Sequence, residues 1–120
     1  AVRGEALTVH GDGEQTRDFT YVGTVVDTIV DAIERKVTSL DPVNLAFGTR
    51  YSLLDVIELI EAELGTALER NHVGVREGDV RDSQADSTAL IGLFPDVVPV
   101  DLNVGLSETV AWMKQREGQA

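Results

Sequence analysis

The stretch GDGEQTRDFTYV, residues 11 to 22, places an arginine directly behind a glycine turn. Glycine at the first and third positions adopts positive φ freely, and the aspartate between them can hydrogen bond to its own backbone. Residues 11–13 are therefore predicted to form a tight turn. The preceding run Leu7–His10 alternates around β-branched residues and is predicted to be a strand. Residues 18–21 are predicted to form a second short strand.

An amphipathic helix is predicted to start at Val22. Apolar residues recur at the spacing i, i+3, i+4, i+7, i+8 and i+11, which is typical of one helix face. The members of this apolar stripe are Val22, Val25, Val26, Ile29, Val30 and Ile33. Their β-branched side chains lower intrinsic helix propensity, so this helix is expected to depend on packing. Thr24 is the residue expected to cap it.

The middle of the chain carries a strand and a well-marked helix. Val43–Phe47 is apolar apart from one asparagine and is predicted to be a strand buried on both faces. Ser52 with Asp55 three residues later predicts a capped helix start, and Gly65 is the predicted stop. Ala67–Val73 is predicted to contain another short strand.

The last third of the chain is predicted to be a polar loop followed by helices. Residues 76–83 form the loop, and Asp86 or Ser87 is expected to cap a short helix that ends at Phe94. A proline follows directly, as is common after a helix.

The final helix is predicted to start at Asp101 or Asn103. Its apolar residues are expected to point inward; they are Leu106, Val110 and Met113.

Charge sets limits on what this chain can bind. The 120 residues carry a formal net charge of −11 and a pI near 4.4. Such a field repels phosphate at long range, so nucleic-acid binding is not expected. An anionic ligand must be held by local arginines instead. Arg17, directly after the glycine turn, is the candidate, because a guanidinium can hold a diphosphate through two hydrogen bonds. The alternative for Arg17 is a solvated side chain paired with Asp18 or Glu14.

Metal, membrane and disulfide chemistry are not expected. The sequence has no cysteine, which excludes disulfides and suits a reducing, cytoplasmic location. It has no apolar run near the roughly 20 residues that span a bilayer, and no signal peptide. The carboxylates around Thr16 alternate as in a calcium loop, but the central glycine and final glutamate of such a loop are absent. The glycine turn also lacks the third glycine of a dinucleotide fingerprint.

The order of these motifs resembles the extended short-chain dehydrogenase/reductases, the nucleotide-sugar epimerase and dehydratase family. The segments that carry the resemblance are GDGEQTRDFTYV (11–22), VNLAFGT (43–49), SLLDVIELI (52–60), REGDVRDSQAD (76–86) and a final helix with Trp112. The wording is most similar to UDP-glucose and UDP-N-acetylglucosamine 4-epimerases. The resemblance implies an α/β fold in which residues 1–120 form the small mixed C-terminal, substrate-binding domain, with the N-terminal Rossmann domain absent from this chain.

The resemblance also implies a set of substrate-binding residues. Arg17 and Arg76 match the arginines that hold the diphosphate of a UDP-sugar, and Asp79 matches the carboxylate that bonds a ribose hydroxyl. Thr8 and His10 lie in the strand that runs along the uracil ring in relatives, where His10 could stack. Without the resemblance, His10 is equally well an exposed strand-end histidine, and a charged surface loop is the default interpretation of Arg76 and Asp79. Arg81 is expected to pair with Asp82 or Asp86.

The expected cofactor is NAD, held by the domain that this chain lacks. The family's hydride chemistry uses a tyrosine with a lysine four residues later, but Tyr21 is followed at that spacing by Val25 and Tyr51 by Asp55. No catalytic, NAD-binding or metal-binding residue is therefore assigned, and the fragment alone is predicted to be inactive. The parent is expected to be a homodimer, and the isolated chain is expected to self-associate through the apolar surface that the Rossmann sheet would cover.

Two departures and two alternatives accompany this interpretation. Gly23 and Thr24 stand where relatives usually have two aspartates, and His10 stands where relatives often have an aromatic residue. The 4-epimerase is the leading hypothesis. The alternatives are a nucleotide-sugar dehydratase or decarboxylase of the same family, and a binding module without catalytic activity.

Overall fold

The computed structural model describes residues 1–118 and shows a mixed α/β chain. The strands are β1 (Leu7–His10), β2 (Thr16–Arg17), β3 (Tyr51–Ser52) and β4 (Arg70–Val73). The helices are α1 (Val22–Glu34), α2 (Leu53–Leu64), α3 (Thr88–Leu93) and α4 (Leu102–Glu117). Among these described residues, no helix has both the length and the apolar composition to cross a membrane.

The strands form two small ladders. β1 and β4 are parallel, with Leu7 opposite Arg70 and His10 opposite Val73. β2 and β3 are antiparallel, with Thr16 opposite Ser52. The predicted strand at Leu7–His10 is confirmed, and the strand predicted within Ala67–Val73 is confirmed at β4.

The second strand predicted from the sequence is misplaced. Residues 18–21 are not a strand, and the pairing occurs just before them, at β2. Asp18 turns away from the ladder because its carboxylate accepts hydrogen bonds from the Gly48 backbone N–H and the Thr49 hydroxyl, each at 2.9 Å. These two hydrogen bonds anchor the segment that leads to α1.

Helix α2 forms the centre of the core. Its start is confirmed as a capping box, in which Ser52 accepts from the Asp55 N–H and Asp55 accepts from the Ser52 N–H. Its stop at Gly65 has φ 70°, the left-handed conformation expected of a helix-ending glycine. Ile57 of this helix packs with Val9 of β1 and with Leu68, and all of these side chains are buried.

Helix α4 lies against α2 and begins at Asp101, whose carboxylate accepts from the Asn103 N–H. Val110 is buried as predicted. The inward orientation predicted for Met113 is wrong, because 36% of its surface is exposed. It lines an open cleft of about 430 Å³ between α4 and the N-terminal residues.

Helix α1 buries its polar side. Thr24 and Thr28 are each 2% exposed, and the Thr24 hydroxyl accepts from the Val100 N–H at 3.0 Å. The prediction that Thr24 caps this helix is therefore wrong, since its side chain ties α1 to the segment before α4. The helix instead starts after Tyr21 without a side-chain cap.

The apolar stripe of α1 faces outward in this chain. Its most exposed members are Val22 at 65% and Ile33 at 71%. Residues 43–47, predicted as a doubly buried strand, form no strand. They are partly buried and have no β-ladder partner within residues 1–118. The apolar side chains of α1 are therefore not covered by residues 1–118, and residues 43–47 are not paired in a sheet there.

Candidate functional site

The glycine turn at the end of β1 fixes the path of the site. Gly11 and Gly13 have φ values of 72° and 84°, as the turn requires. A Cβ atom on Gly13 would lie 2.7 Å from Cδ2 of Leu54, so the close approach of turn and helix also excludes a side chain. The turn leads the chain from the exposed end of β1 into β2.

Strand β2 is paired on both sides. Thr16 opposes Ser52 in the ladder with β3. On its other side, the Thr16 N–H donates to the Arg81 carbonyl at 2.8 Å, and the Ser83 N–H donates to the Thr16 carbonyl at 3.2 Å. The loop predicted at residues 76–83 is therefore confirmed as a loop. The C-terminal end of this loop is attached to β2.

Arg17 and Asp79, two of the predicted site residues, form an ion pair. A guanidinium nitrogen of Arg17 donates to Oδ1 of Asp79. The same side chain donates to the Thr16 carbonyl at 2.7 Å and to the Arg81 carbonyl at 3.4 Å. The partner of Arg17 is thus neither Asp18 nor Glu14, which were the alternatives considered from the sequence.

Arg76 lies on the same turn as Asp79. The Asp79 N–H donates to the Arg76 carbonyl at 3.1 Å, and Gly78 between them has φ 80°. Within residues 1–118, no ion pair involves the Arg76 side chain, which is exposed. The loop therefore carries an exposed arginine on the same turn as the carboxylate that pairs with Arg17.

A small cavity of about 60 Å³ lies between the glycine turn and this loop. Its wall includes His10, Asp79 and Arg81. His10 is exposed, and its Nδ1 lies 3.3 Å from the Gly74 carbonyl. Thr8 is also exposed, two residues earlier in β1, and does not line this cavity. Of the predicted site residues, His10 and Asp79 thus line one cavity, Arg17 is joined to it through its ion pair with Asp79, and Arg76 lies on the same turn as Asp79.

Arg81 pairs with Asp12 and not, as predicted, with Asp82 or Asp86. Its guanidinium lies 3.2 Å from the Asp12 carboxylate, which belongs to the glycine turn. The Glu14 N–H, and then Arg81, hold the pKa of Asp12 below its usual value. The pair bridges the mouth of the cavity and joins the turn to the loop.

Two residues of the site carried no clear signal in the sequence. Arg50 donates to the Thr16 hydroxyl at 3.0 Å and also binds Asp82. Gln15 donates to the His10 carbonyl at 3.1 Å, which supports the end of β1. An arginine directly before a short strand can occupy many surface environments. The contacts of Arg50 and Gln15 are therefore seen only in the folded structure.

The arrangement suits anion binding and offers no evident catalytic group. Its positive charges are guanidinium groups, which remain charged at all ordinary pH values and cannot exchange protons. Among the described residues, no group of three or more histidine, cysteine and acidic side chains is placed to hold a metal ion. Guanidinium groups of this kind form strong hydrogen bonds to phosphate oxygens.

Sequence and structure comparisons find relatives of this chain, although no family model matches it. UDP-glucuronic acid decarboxylase 1 of Xenopus tropicalis is 36% identical over 124 residues, which cover 100% of this chain and 28% of that protein. The chain spans between 28% and 36% of the length of curated relatives such as this one.

Two solved structures have the same fold. UDP-glucuronic acid 4-epimerase from Bacillus cereus, in complex with UDP-glucuronic acid and NAD, matches with a TM-score of 0.86 and 30% identity, over 96% of this chain and 37% of that one. An NAD-dependent NDP-hexosamine 5,6-dehydratase involved in tunicamycin biosynthesis matches with a TM-score of 0.80 and 31% identity, over 94% of this chain and 36% of that one.

Over nearly its whole length the chain is similar to one part of extended short-chain dehydrogenase/reductases, and it has the mixed α/β fold of the C-terminal domain of such enzymes. Its relatives within that family include UDP-sugar 4-epimerases and decarboxylases. The family predicted from the sequence motifs is therefore confirmed.

Proposed function

We propose that residues 1–120 are the substrate-binding domain of an NAD-dependent UDP-sugar 4-epimerase. The observation that supports this most directly is the ion pair of Arg17 with Asp79, which lines a cavity together with His10 and lies on the same turn as Arg76. The pair joins residues that are far apart in the sequence. An acidic chain has few other places for a diphosphate.

Each residue has a role in this proposal. Arg17 and Arg76 hold the two phosphates, because a guanidinium forms short charge-assisted hydrogen bonds to phosphate oxygens. Asp79 accepts hydrogen bonds from the ribose hydroxyls. His10 packs on the uracil ring, and the exposed edge of β1 at Thr8 lies alongside the base. The nucleotide is thereby held while the sugar moves in the adjoining domain.

The NAD site does not belong to this chain in the proposal. The glycine turn at residues 11–13 does not fit the pyrophosphate of a dinucleotide, because β2 follows it and not the N-terminus of a helix. No step that involves NAD is assigned to the residues described here. A partner domain would cover the apolar stripe of α1 and residues 43–47.

The alternatives differ in chemistry and share the nucleotide site. A decarboxylase or dehydratase of the same family would use the same anchoring residues, and its reaction would depend on groups outside this chain. A binding module without catalysis is the alternative of another class. Saturable UDP binding together with no turnover by the native polypeptide would favour it. The absence of cysteine fits a cytoplasmic enzyme in each case.

The proposed site can be tested by calorimetric titration of the native polypeptide with UDP. Arg17→Met and Arg76→Met are each expected to weaken binding by about 1.5–3 kcal/mol, the range for a hydrogen bond to a charged group. Arg3→Met is the matched control, because Arg3 pairs with Glu117 at the opposite terminus. Unchanged UDP affinity in both site variants would contradict the proposed site.

The reaction can be tested on the same native polypeptide. Its intact mass and upstream sequence establish whether a Rossmann fingerprint and a Tyr-x-x-x-Lys precede Ala1. Incubation with UDP-glucose and with UDP-glucuronic acid, followed by NMR of the products, then separates a 4-epimerase from a decarboxylase or dehydratase. A native chain without an upstream domain would instead support the binding module.

A further inference from the structure

Arg50 reaches across β2 to the loop that carries the proposed anion-binding residues. It lies just before β3, on the side of β2 opposite the loop. Its Nε donates to the Thr16 hydroxyl at 3.0 Å, and its terminal nitrogen binds Oδ1 of Asp82. The Thr16 hydroxyl donates to the same carboxylate oxygen at 2.8 Å. Arg50, Thr16 and Asp82 thus form a closed triangle of polar contacts.

This triangle adds a side-chain anchor to a loop that two backbone hydrogen bonds attach to β2. All residues from 76 to 83 are exposed, and the loop's one apolar side chain, Val80, is 58% exposed. No buried side chain therefore anchors the loop, and its position depends on polar contacts. The Thr16 hydroxyl, and then Arg50, lower the pKa of Asp82, as expected for a carboxylate that accepts both hydrogen bonds.

Besides two backbone hydrogen bonds to Thr16, the loop makes two ion pairs at the proposed binding site. Asp79 pairs with Arg17, and Arg81 pairs with Asp12 at the rim of the cavity. A phosphorylated ligand that takes Arg17 from Asp79 would remove one of these contacts. The Arg50–Asp82 contact lies away from the cavity wall and remains during such an exchange.

We infer that Arg50 is a positioning residue for the nucleotide site, acting through Thr16 and Asp82 to hold the loop that presents Arg76 and Asp79. This inference rests on the proposed nucleotide-binding function and assigns Arg50 no contact with the ligand. Its side chain and that of Asp82 are 49% and 53% exposed, so the pair adds little to global stability. The effect of its loss is expected in the loop and in binding.

The test uses UDP titration of the native polypeptide and its Arg50→Met, Asp82→Asn and double variants. Each single variant is expected to weaken UDP binding about threefold to tenfold, and the double variant is expected to be no weaker than either, because coupled residues are not additive. Arg50→Lys is expected to restore part of the affinity, since a lysine can still reach a carboxylate as a point charge.

Amide hydrogen exchange supplies a readout of the loop itself. In the unliganded protein, Arg50→Met should speed exchange at residues 79–83 and leave α2 and α4 unchanged. UDP affinity that is lost in Arg17→Met but kept in Arg50→Met, with unchanged loop exchange, would overturn this inference alone. No UDP binding by the unaltered protein would overturn the proposed function, and this inference with it.

Discussion

The guanidinium of Arg17 is bound to the carboxylate of Asp79, 62 residues away in the sequence. Their side chains are 34% and 29% exposed, so the pair is accessible to a ligand. In the proposed site these groups bind phosphate and ribose, yet here they satisfy each other. Ligand binding therefore requires the two side chains to exchange partners.

Replacing Asp79 should separate the two roles. Asp79→Asn removes the charge that competes for Arg17, so inorganic pyrophosphate is expected to bind about threefold to tenfold more tightly, within the range of exposed charge-pair energies. Uridine, which has no phosphate, is expected to bind more weakly because the amide is a poorer acceptor than the carboxylate. Calorimetric titration with each ligand measures both changes.

The control for this exchange is another arginine–aspartate pair. Asp31→Asn removes the partner of Arg35 on α1, where the carboxylate and guanidinium are 2.5 Å apart, without touching the site. It should leave both affinities unchanged. Pyrophosphate binding that is no tighter in Asp79→Asn than in Asp31→Asn would show that Asp79 does not compete for Arg17.

Local sequence signals predicted the elements that depend on local chemistry. The capping box at Ser52, the glycine stop at Gly65 and the turn at residues 11–13 all follow from short-range hydrogen bonds or φ requirements. The apolar periodicity of α1 correctly indicated a helix. It could not show which face this chain buries, because the burial of Thr24 depends on a tertiary contact with the segment before α4.

The sequence predicted several charged residues of the candidate site, but it did not predict which of them form ion pairs. The motifs indicated Arg17, Arg76 and Asp79, but the Arg17–Asp79 and Arg81–Asp12 pairs depend on how the loop attaches to β2. That attachment joins residues far apart in sequence, and charges alone allow many partners. Arg50 was missed for the same reason.

The contact between Gly105 and Tyr21 gives a sharp stability test. A Cβ atom on Gly105 would lie 2.8 Å from the Tyr21 ring and 3.0 Å from its Cβ, so the ring cannot simply rotate away. Gly105→Ala is therefore expected to lower the free energy of unfolding by about 1–3 kcal/mol, the usual cost of overpacking. Urea denaturation followed by circular dichroism measures it.

Gly92 is the matched control for this substitution. It lies in α3, and a Cβ atom there would meet nothing within 4 Å. Gly92→Ala should be neutral or stabilising by up to about 1 kcal/mol, the difference in helix propensity. Equal effects of the two substitutions would mean that the Tyr21 contact is not tight.

The hydrogen bonds of Glu61 should make the free energy of unfolding depend on pH. Its carboxylate accepts from the Leu68 N–H at 2.8 Å and from Arg70 at 2.7 Å, and these bonds hold its pKa below the ordinary 4.5. The folded protein therefore binds this proton more weakly than the unfolded chain does. The contribution of Glu61 to stability is complete above about pH 4.5 and is lost as the pH falls through the folded-state value.

Glu61→Gln isolates this contribution. The variant should be less stable than the unaltered protein at pH 7, and the two free energies of unfolding should converge below pH 4.5. Glu63→Gln, on the exposed side of the same helix, is the control. A constant difference between Glu61→Gln and the unaltered protein from pH 7 to acid would argue against an ionised anchor.

The exposed stripe of α1 predicts that the 120-residue chain self-associates. Val26 and Ile33 are 51% and 71% exposed on one helix face, a pattern that proteins normally cover. Sedimentation velocity is expected to show an average mass that rises with concentration. A Val26→Lys/Ile33→Lys double variant should reduce this rise, because charges on the stripe oppose apolar contact. Leu40→Lys, at a fully exposed loop residue, should not. A chain that stays monomeric at every concentration would show that the apolar stripe of α1 is stable in water. A partner domain on α1 would then have no physical basis.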